Sequence, residues 1–234
     1  MNARLLRLIL LLSIPASALG APLQAVLVDG YRPLSAAAAE SMDEGFEAAW
    51  LKVLADRLGR NIELTDLAAQ ADLRMGDLAS GAVYYTSEVA ALTSTEAGPT
   101  WGQLADKPFC VTGGHPYAAT VASRFGGIAR AYDSAAQALI GLKLGECQAV
   151  VGDQRLLRQL AELPEWRRYN RLLPALEDVA LTLRIEASDA TLQQRIEQVV
   201  SSDQGHQAMA GVTQYWIDEV AFQAYVLADT LDCH

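Results

Sequence analysis

The sequence predicts an α/β protein with a largely parallel sheet. Three observations lead there. The chain opens strand–helix–strand, the connectivity that parallel neighbours require. From residue 108 onward, short apolar runs again alternate with amphipathic ones. Between the two regions stands Gly98-Pro99, a break that marks a domain boundary.

Residues 24–29, QAVLVD, read as a buried strand running into the turn-rich DGYRPLS. EGFEAAWLKVLADRLGR follows, with Phe46, Trp50, Val53, Leu54 and Leu58 at helical spacing and Gly59 as its C-cap. NIELTDL is a second strand and ADLRMGDL a short third. Residues 83–94, VYYTSEVAALTS, are β-prone. PFCVTGG is a strand ending in a Gly-Gly turn, and HPYAATVASRF places Pro116 at a first helical position. IARAYD is a strand. SAAQALIGLKLG is a helix between a cap at Asp133 or Ser134 and Gly145. CQAVVGD is again a strand, and QRLLRQLAEL a helix. YNRLLPALEDVALTLRI supplies more extended chain. SDATLQQRIEQVVSS carries Leu192, Ile196, Val199 and Val200 on one helical face behind a Ser188 or Asp189 cap. The remainder is mostly helical.

The 234 residues, 51% hydrophobic, suffice for a substantial core. The formal charge is −10, without clusters of Lys and Arg, which argues against nucleic acid as a partner. The N-terminus joins Arg4 and Arg7 to an apolar run, Leu8–Ile14, too short to span a bilayer. Small residues follow, so residues 1–21 read as a secretory signal peptide, with a retained membrane anchor as the competing reading. Its removal takes two positive charges from −10 and leaves −12. The expected destination is the periplasm, with no membrane insertion after cleavage, in a setting that permits disulfides.

Four stretches carry a family resemblance: GFEAAWLKVLADRLGRNIEL, YYTSEVAALTS, TWGQLADKPFCVTGGHPY and AYDSAAQALIGLKLGECQAVVGD. In order and spacing the chain resembles extracellular solute-binding proteins of family 3, the periplasmic receptors of polar amino-acid ABC transporters. The resemblance runs from residue 24 to about 217. It implies a periplasmic binding protein-like (type II) fold, with two α/β lobes joined by a two-segment hinge. Lobe 1 would be residues 22–91 plus 184–234, and lobe 2 residues 92–183. It further implies a small polar ligand in the cleft and a membrane permease, or another periplasmic protein, as partner. One departure stands out. The family's segment bearing the arginine that clamps a ligand carboxylate is nearly absent here, so that anchor is missing or replaced.

By this resemblance Asp153 accepts a hydrogen bond from a ligand ammonium. The competing reading is an N-cap for QRLLRQL. Tyr31 matches an aromatic that covers the ligand, and Tyr85, beside Tyr84, sits near the hinge. Packing is the alternative for each. Gly113 and Gly114 form a turn whose amides can hold an anion, and His115 adds a pH-sensitive donor; a plain turn is the alternative. Arg74, in DLRMG, is the arginine placed by register to replace the clamp, unless it simply points to solvent.

Cys110 and Cys147 begin expected neighbouring parallel strands. A disulfide between them closes a 37-residue loop; two buried free thiols are the alternative. Cys233 is left over, suggesting an intermolecular bond or an exposed thiol. The DCH of residues 232–234 is a poor metal site without distant partners. No G-x-S-x-G, H-E-x-x-H or Walker A pattern occurs. The expectation is therefore a non-enzyme without metal or cofactor: a binding protein delivering a small polar solute to an ABC transporter. The first alternative is a sensory or accessory periplasmic protein, for example of a quinoprotein dehydrogenase system, that keeps the scaffold but not the pocket. The second is a hydrolase using Cys110 or Cys147.

Overall fold

Apolar side chains alternate inward along Leu23 and Ala25, and this makes β1 (Leu23–Leu27) the centre of a parallel trio. The computed structural model describes residues 21–28, 31–37, 44–98 and 100–231. The signal peptide, apart from Ala21, and the 232–234 tail with Cys233 lie outside the described residues. After β1 comes α1 (Phe46–Leu58), which buries Phe46, Trp50, Leu51, Leu54 and Leu58. It stops at Gly59, whose φ of 65° is the left-handed turn that a Cβ would disfavour. β2 (Ile62–Leu64) and β3 (Leu73–Gly76) then flank β1, both parallel to it.

β4 (Ala82–Thr93) is the long strand of the molecule. Beyond it lie β5 (Pro108–Thr112), α2 (Ala118–Phe125), β6 (Ile128–Tyr132) and α3 (Ala135–Lys143). Next come β7 (Ala149–Asp153), α4 (Gln154–Glu162), β8 (Arg171–Leu173) and β9 (Ala180–Ala187). Two helices, α5 (Ala190–Ser201) and α6 (Asp203–Leu231), close the described chain. The expected helix start at Pro116 lies two residues too early: Pro116 stays in the turn and Tyr117 precedes the helix. Of the two caps proposed before α3, the Ser134 hydroxyl accepts from the Gln137 amide. Before α5 it is Asp189, accepting from Leu192.

The sheet runs β2-β1-β3-β9-β4-β7-β5-β6, with β8 also on β4. β4 belongs to both of its halves. Residues Ala82–Glu88 pair antiparallel with β9, whereas Val89–Thr93 pair with β7 and β8. In the second half β5 lies parallel between β6 and β7. β4 and β9 are thus the strands through which the chain enters and leaves the second half.

One buried cluster spans both halves. It joins Leu23, Trp50 and Met75 to Leu139 and Leu157 through Ile217, Val220 and Ala224 of α6. The inward stripe Gly205, Met209, Thr213, Ile217, Val220 and Ala224 repeats every three or four residues, and this draws a 29-residue helix onto the core. α6 packs on α1 and α5 of the first half and on α3 and α4 of the second. A second cluster, including Trp101, Phe109, Val121 and Leu173, fills the other face of the second half.

Cys110, inside β5, and Cys147, just before β7, are bonded, with Cα atoms 5.7 Å apart. The parallel pairing of β5 with β7 brings them together. Neither sulfur remains as a nucleophile, which removes the thiol-hydrolase reading.

Candidate functional site

β4 carries two consecutive buried residues, Tyr84 and Tyr85, where a regular strand would bury only one. The register against β9 shifts between Val83 and Tyr85, and this bulge re-aims the chain so that both rings turn inward. Tyr84 stacks on Trp50 of α1, with centroids 6.5 Å apart. Tyr85 meets Phe46 edge-on at 5.1 Å, and its hydroxyl donates to Asp153 Oδ2 at 2.5 Å.

Asp153 stands where β7 ends and α4 begins, 2% exposed. Its Oδ1 accepts from the amides of Arg155 at 2.8 Å and Leu156 at 3.2 Å. The cap and the cleft-edge carboxylate are therefore one group, with one oxygen for the helix and the other for Tyr85. Burial raises the Asp153 carboxyl above its usual range, against the opposing hydrogen bonds from Tyr85 and the two amides. Burial likewise raises Tyr85, and Asp153 adds to that rise. The Arg155 guanidinium lies 5.6 Å over the Tyr85 ring.

Tyr31, from the turn after β1, reaches across the halves to His115 beyond β5, ring against ring at 4.9 Å. Burial raises the Tyr31 phenol, followed by the charges of Asp153 and Glu47. The buried imidazole of His115 is lowered to about 4, mainly by desolvation. Its Nδ1 accepts from the Tyr117 amide at 3.2 Å, which leaves the proton of the neutral ring on Nε2. Tyr117 in turn donates its hydroxyl to the Ala180 carbonyl at the start of β9, 2.6 Å away.

Asp153, Tyr85, Tyr31 and His115 are thus brought to one place, at the ends of β1, β5 and β7. Gly114 turns the chain before His115 with φ of 71°. The neighbouring amides of Gly113 and His115 are used by the carbonyls of Tyr132 and Thr112. Arg74 is placed elsewhere. It pairs across β3 and β9 with Glu186, its Nη1 3.7 Å from the carboxylate, and its side chain is half exposed.

Phe46 and Tyr84, expected as a helix-face residue and a hinge aromatic, also build the site, as do Glu47 and Arg32, for which the sequence reading has no expectation. Glu47 is a buried carboxylate in the first turn of α1, where the helix dipole favours it. Its signal in the sequence is its place on the apolar stripe, three residues before Trp50 and seven before Leu54. Tyr31, Arg32, Glu47, Gly76 and Tyr84 enclose about 10 Å³, room for a single water. The Tyr84 hydroxyl, buried, has no hydrogen-bond partner among the described residues. Chemically, the cluster holds two buried carboxylates, Asp153 already supplied with donors and Glu47, among phenols and one neutral imidazole. Among the described residues no group of three or more His, Cys, Asp or Glu could hold a metal ion. No helix there is long and apolar enough to cross a membrane.

No family model matches the chain, and no curated protein matches it. Solved structures do. An amino acid ABC transporter substrate-binding protein, AbpA from Streptococcus pneumoniae, bound to L-arginine, is 14% identical. The match covers 86% of this chain and 96% of that one, with a TM-score of 0.61. An ancestral arginine-binding protein bound to arginine is 15% identical, over 85% of this chain and 99% of that one, with a TM-score of 0.58. The periplasmic VFT2 domain of BvgS from Bordetella pertussis is also 15% identical, over 83% and 92%, with a TM-score of 0.57. At such identities the likeness is one of fold: the chain has the α/β periplasmic binding protein-like fold.

Proposed function

We propose that this chain is an exported protein on a binding-protein scaffold that works through a protein partner, as a sensory or accessory periplasmic component, and not by carrying a solute. One observation carries this. Asp153, the group expected to receive a ligand ammonium, has both oxygens supplied by its own chain, from Tyr85 and from two α4 amides. The Tyr31–His115 ring contact supports the same reading, since a guest held between β1 and β5 would have to part the two rings. Arg74, directed to Glu186, supplies no clamp for a carboxylate. The N-terminal leader and the Cys110–Cys147 bond support a periplasmic location.

Solute delivery to a permease is the second reading. The convergence of Asp153, Tyr31, Tyr85 and His115, with Gly114 in the adjoining turn, favours it. Two of the similar structures above hold arginine, and in this reading the same four side chains would open to grip a polar guest.

Thermal melts against a panel of amino acids, amines and small carboxylates separate the two. A ligand at one hundred times its Kd adds about 2.7 kcal/mol to the native state. For a chain of this size that raises Tm by roughly 5–10 °C. The expected result is no shift with any compound. A saturable shift that Asp153→Asn abolishes would establish the solute reading and overturn the first.

A further inference from the structure

Among the described residues, eight large hydrophobic side chains are exposed, and four of them lie on α6: Tyr215, Phe222, Tyr225 and Val226. The other four are scattered over separate elements. Tyr215, Phe222 and Val226 follow at i, i+7 and i+11, so they form one outward stripe opposite the buried one. Their exposures are 61%, 57% and 36%, with Tyr225 beside them at 50%.

The charges carried by α6 itself are of one sign. α6 holds Asp203, Asp218, Glu219 and Asp229 and no Lys or Arg in its 29 residues. Asp218 and Asp229 are exposed on the stripe's own face. Lys52 lines the groove beside Tyr215, together with Glu44 and Glu219. The whole chain carries −10.

We propose that the outer face of α6, from Tyr215 to Val226, docks a partner protein through an amphipathic helix of that partner, apolar on the contacting side and edged by Lys and Arg. This rests on the partner-protein reading above and names its surface and its chemistry. An aromatic stripe edged by carboxylates fits helix-on-helix packing with opposite charge at the rim. A second copy would set acid against acid across the contact, and an anionic lipid surface would be repelled in the same way. The position has a mechanical meaning too. α6 touches α1 and α5 on one side and α3 and α4 on the other, and Asp218 Oδ1 accepts from Gln159 of α4 at 2.6 Å. A partner held along α6 therefore grips the element that ties the two halves together.

The test uses the whole protein and a fluorescein-labelled Leu/Lys amphipathic helix of about four turns as the probe, read by anisotropy. The wild type is expected to bind it. Phe222→Ser with Tyr225→Ser, which leaves the charge alone, should weaken binding by about tenfold or more. Val83→Ser, at an exposed valine on β4, should leave it unchanged. Asp218→Asn with Asp229→Asn should weaken it and flatten its salt dependence. Circular dichroism confirms that each variant is folded. Equal binding by the wild type and the Phe222 variant would overturn the proposal, leaving only non-specific charge. Dimerisation in sedimentation velocity that Phe222→Ser removes would assign the face to a second copy. Binding to phosphatidylglycerol vesicles lost in the same variant would assign it to lipid. These results do not depend on the cleft, so a ligand-induced thermal shift would remove the partner reading without touching them.

Discussion

Replacing Asp153 by alanine should cost far more than replacing it by asparagine. The alanine variant loses both bonds that cap α4, and a lost N-cap costs about 1 kcal/mol. It also leaves the Tyr85 hydroxyl buried without its acceptor, which costs about 1–3 kcal/mol. Removing a carboxylate that burial penalises gives a little back, so the expected loss is about 2–4 kcal/mol, or roughly 5–15 °C in Tm. Asparagine keeps an oxygen for the two amides and an amide group that can donate to the Tyr85 oxygen, so its loss should stay within about 1 kcal/mol. Urea unfolding at neutral pH measures both, with similar m-values expected. Its acid behaviour adds a second readout. The folded carboxyl lies above 3.8, so its contribution to stability is fullest below 3.8 and declines as pH rises through the folded value. Asp153→Asn removes that dependence. Equal losses for the two variants, or an alanine loss under about 0.5 kcal/mol, would refute the shared-carboxylate reasoning.

Further outcomes follow from other contacts. Reducing the Cys110–Cys147 bond, or replacing both residues by alanine, should cost about 3–4 kcal/mol for its loop of 37 residues, measured as the fall in Tm with and without dithiothreitol. His115 titrates near 4 when folded against 6.5 when unfolded, so the stability it confers is complete above pH 6.5 and lost as pH falls towards 4. The full loss is about 3 kcal/mol, and His115→Gln should flatten the pH–stability curve across that window. Gly76→Ala should cost about 1–3 kcal/mol in urea, because φ is 145° and the new Cβ would lie 2.3 Å from the Val28 carbonyl oxygen.

The alternation of strands and helices was legible because apolar periodicity records which face is buried. Leu192, Ile196 and Val200 mark the inner face of α5 in the letters themselves. The disulfide was legible for a related reason, since the two cysteines belong to segments expected as neighbouring strands, although Cys110 lies inside β5 and Cys147 just ahead of β7. Side-chain direction at the site was not. Arg74 looked placed to replace a clamp, yet whether a short strand turns a residue inward depends on its partner strand, and β9 offered Glu186. The bulge that buries Tyr84 beside Tyr85 breaks the period of two, so no alternation rule could find it. The sequence leaves Asp153 open as either a cap or a ligand group. Its two oxygens divide between α4 and Tyr85, and only the folded geometry shows the division. Glu47 escaped notice because a lone acid in an amphipathic helix normally faces water.

The pairing of β3 with β9 has a consequence for how the chain is made. β3 gains its antiparallel neighbour only when residues 184–187 appear, more than a hundred positions later. As the chain emerges from its N-terminus, β5 and β7 can pair while β3 still waits with an open edge. Synthesis therefore favours an order in which the middle of the chain matures first and the two ends close around it last.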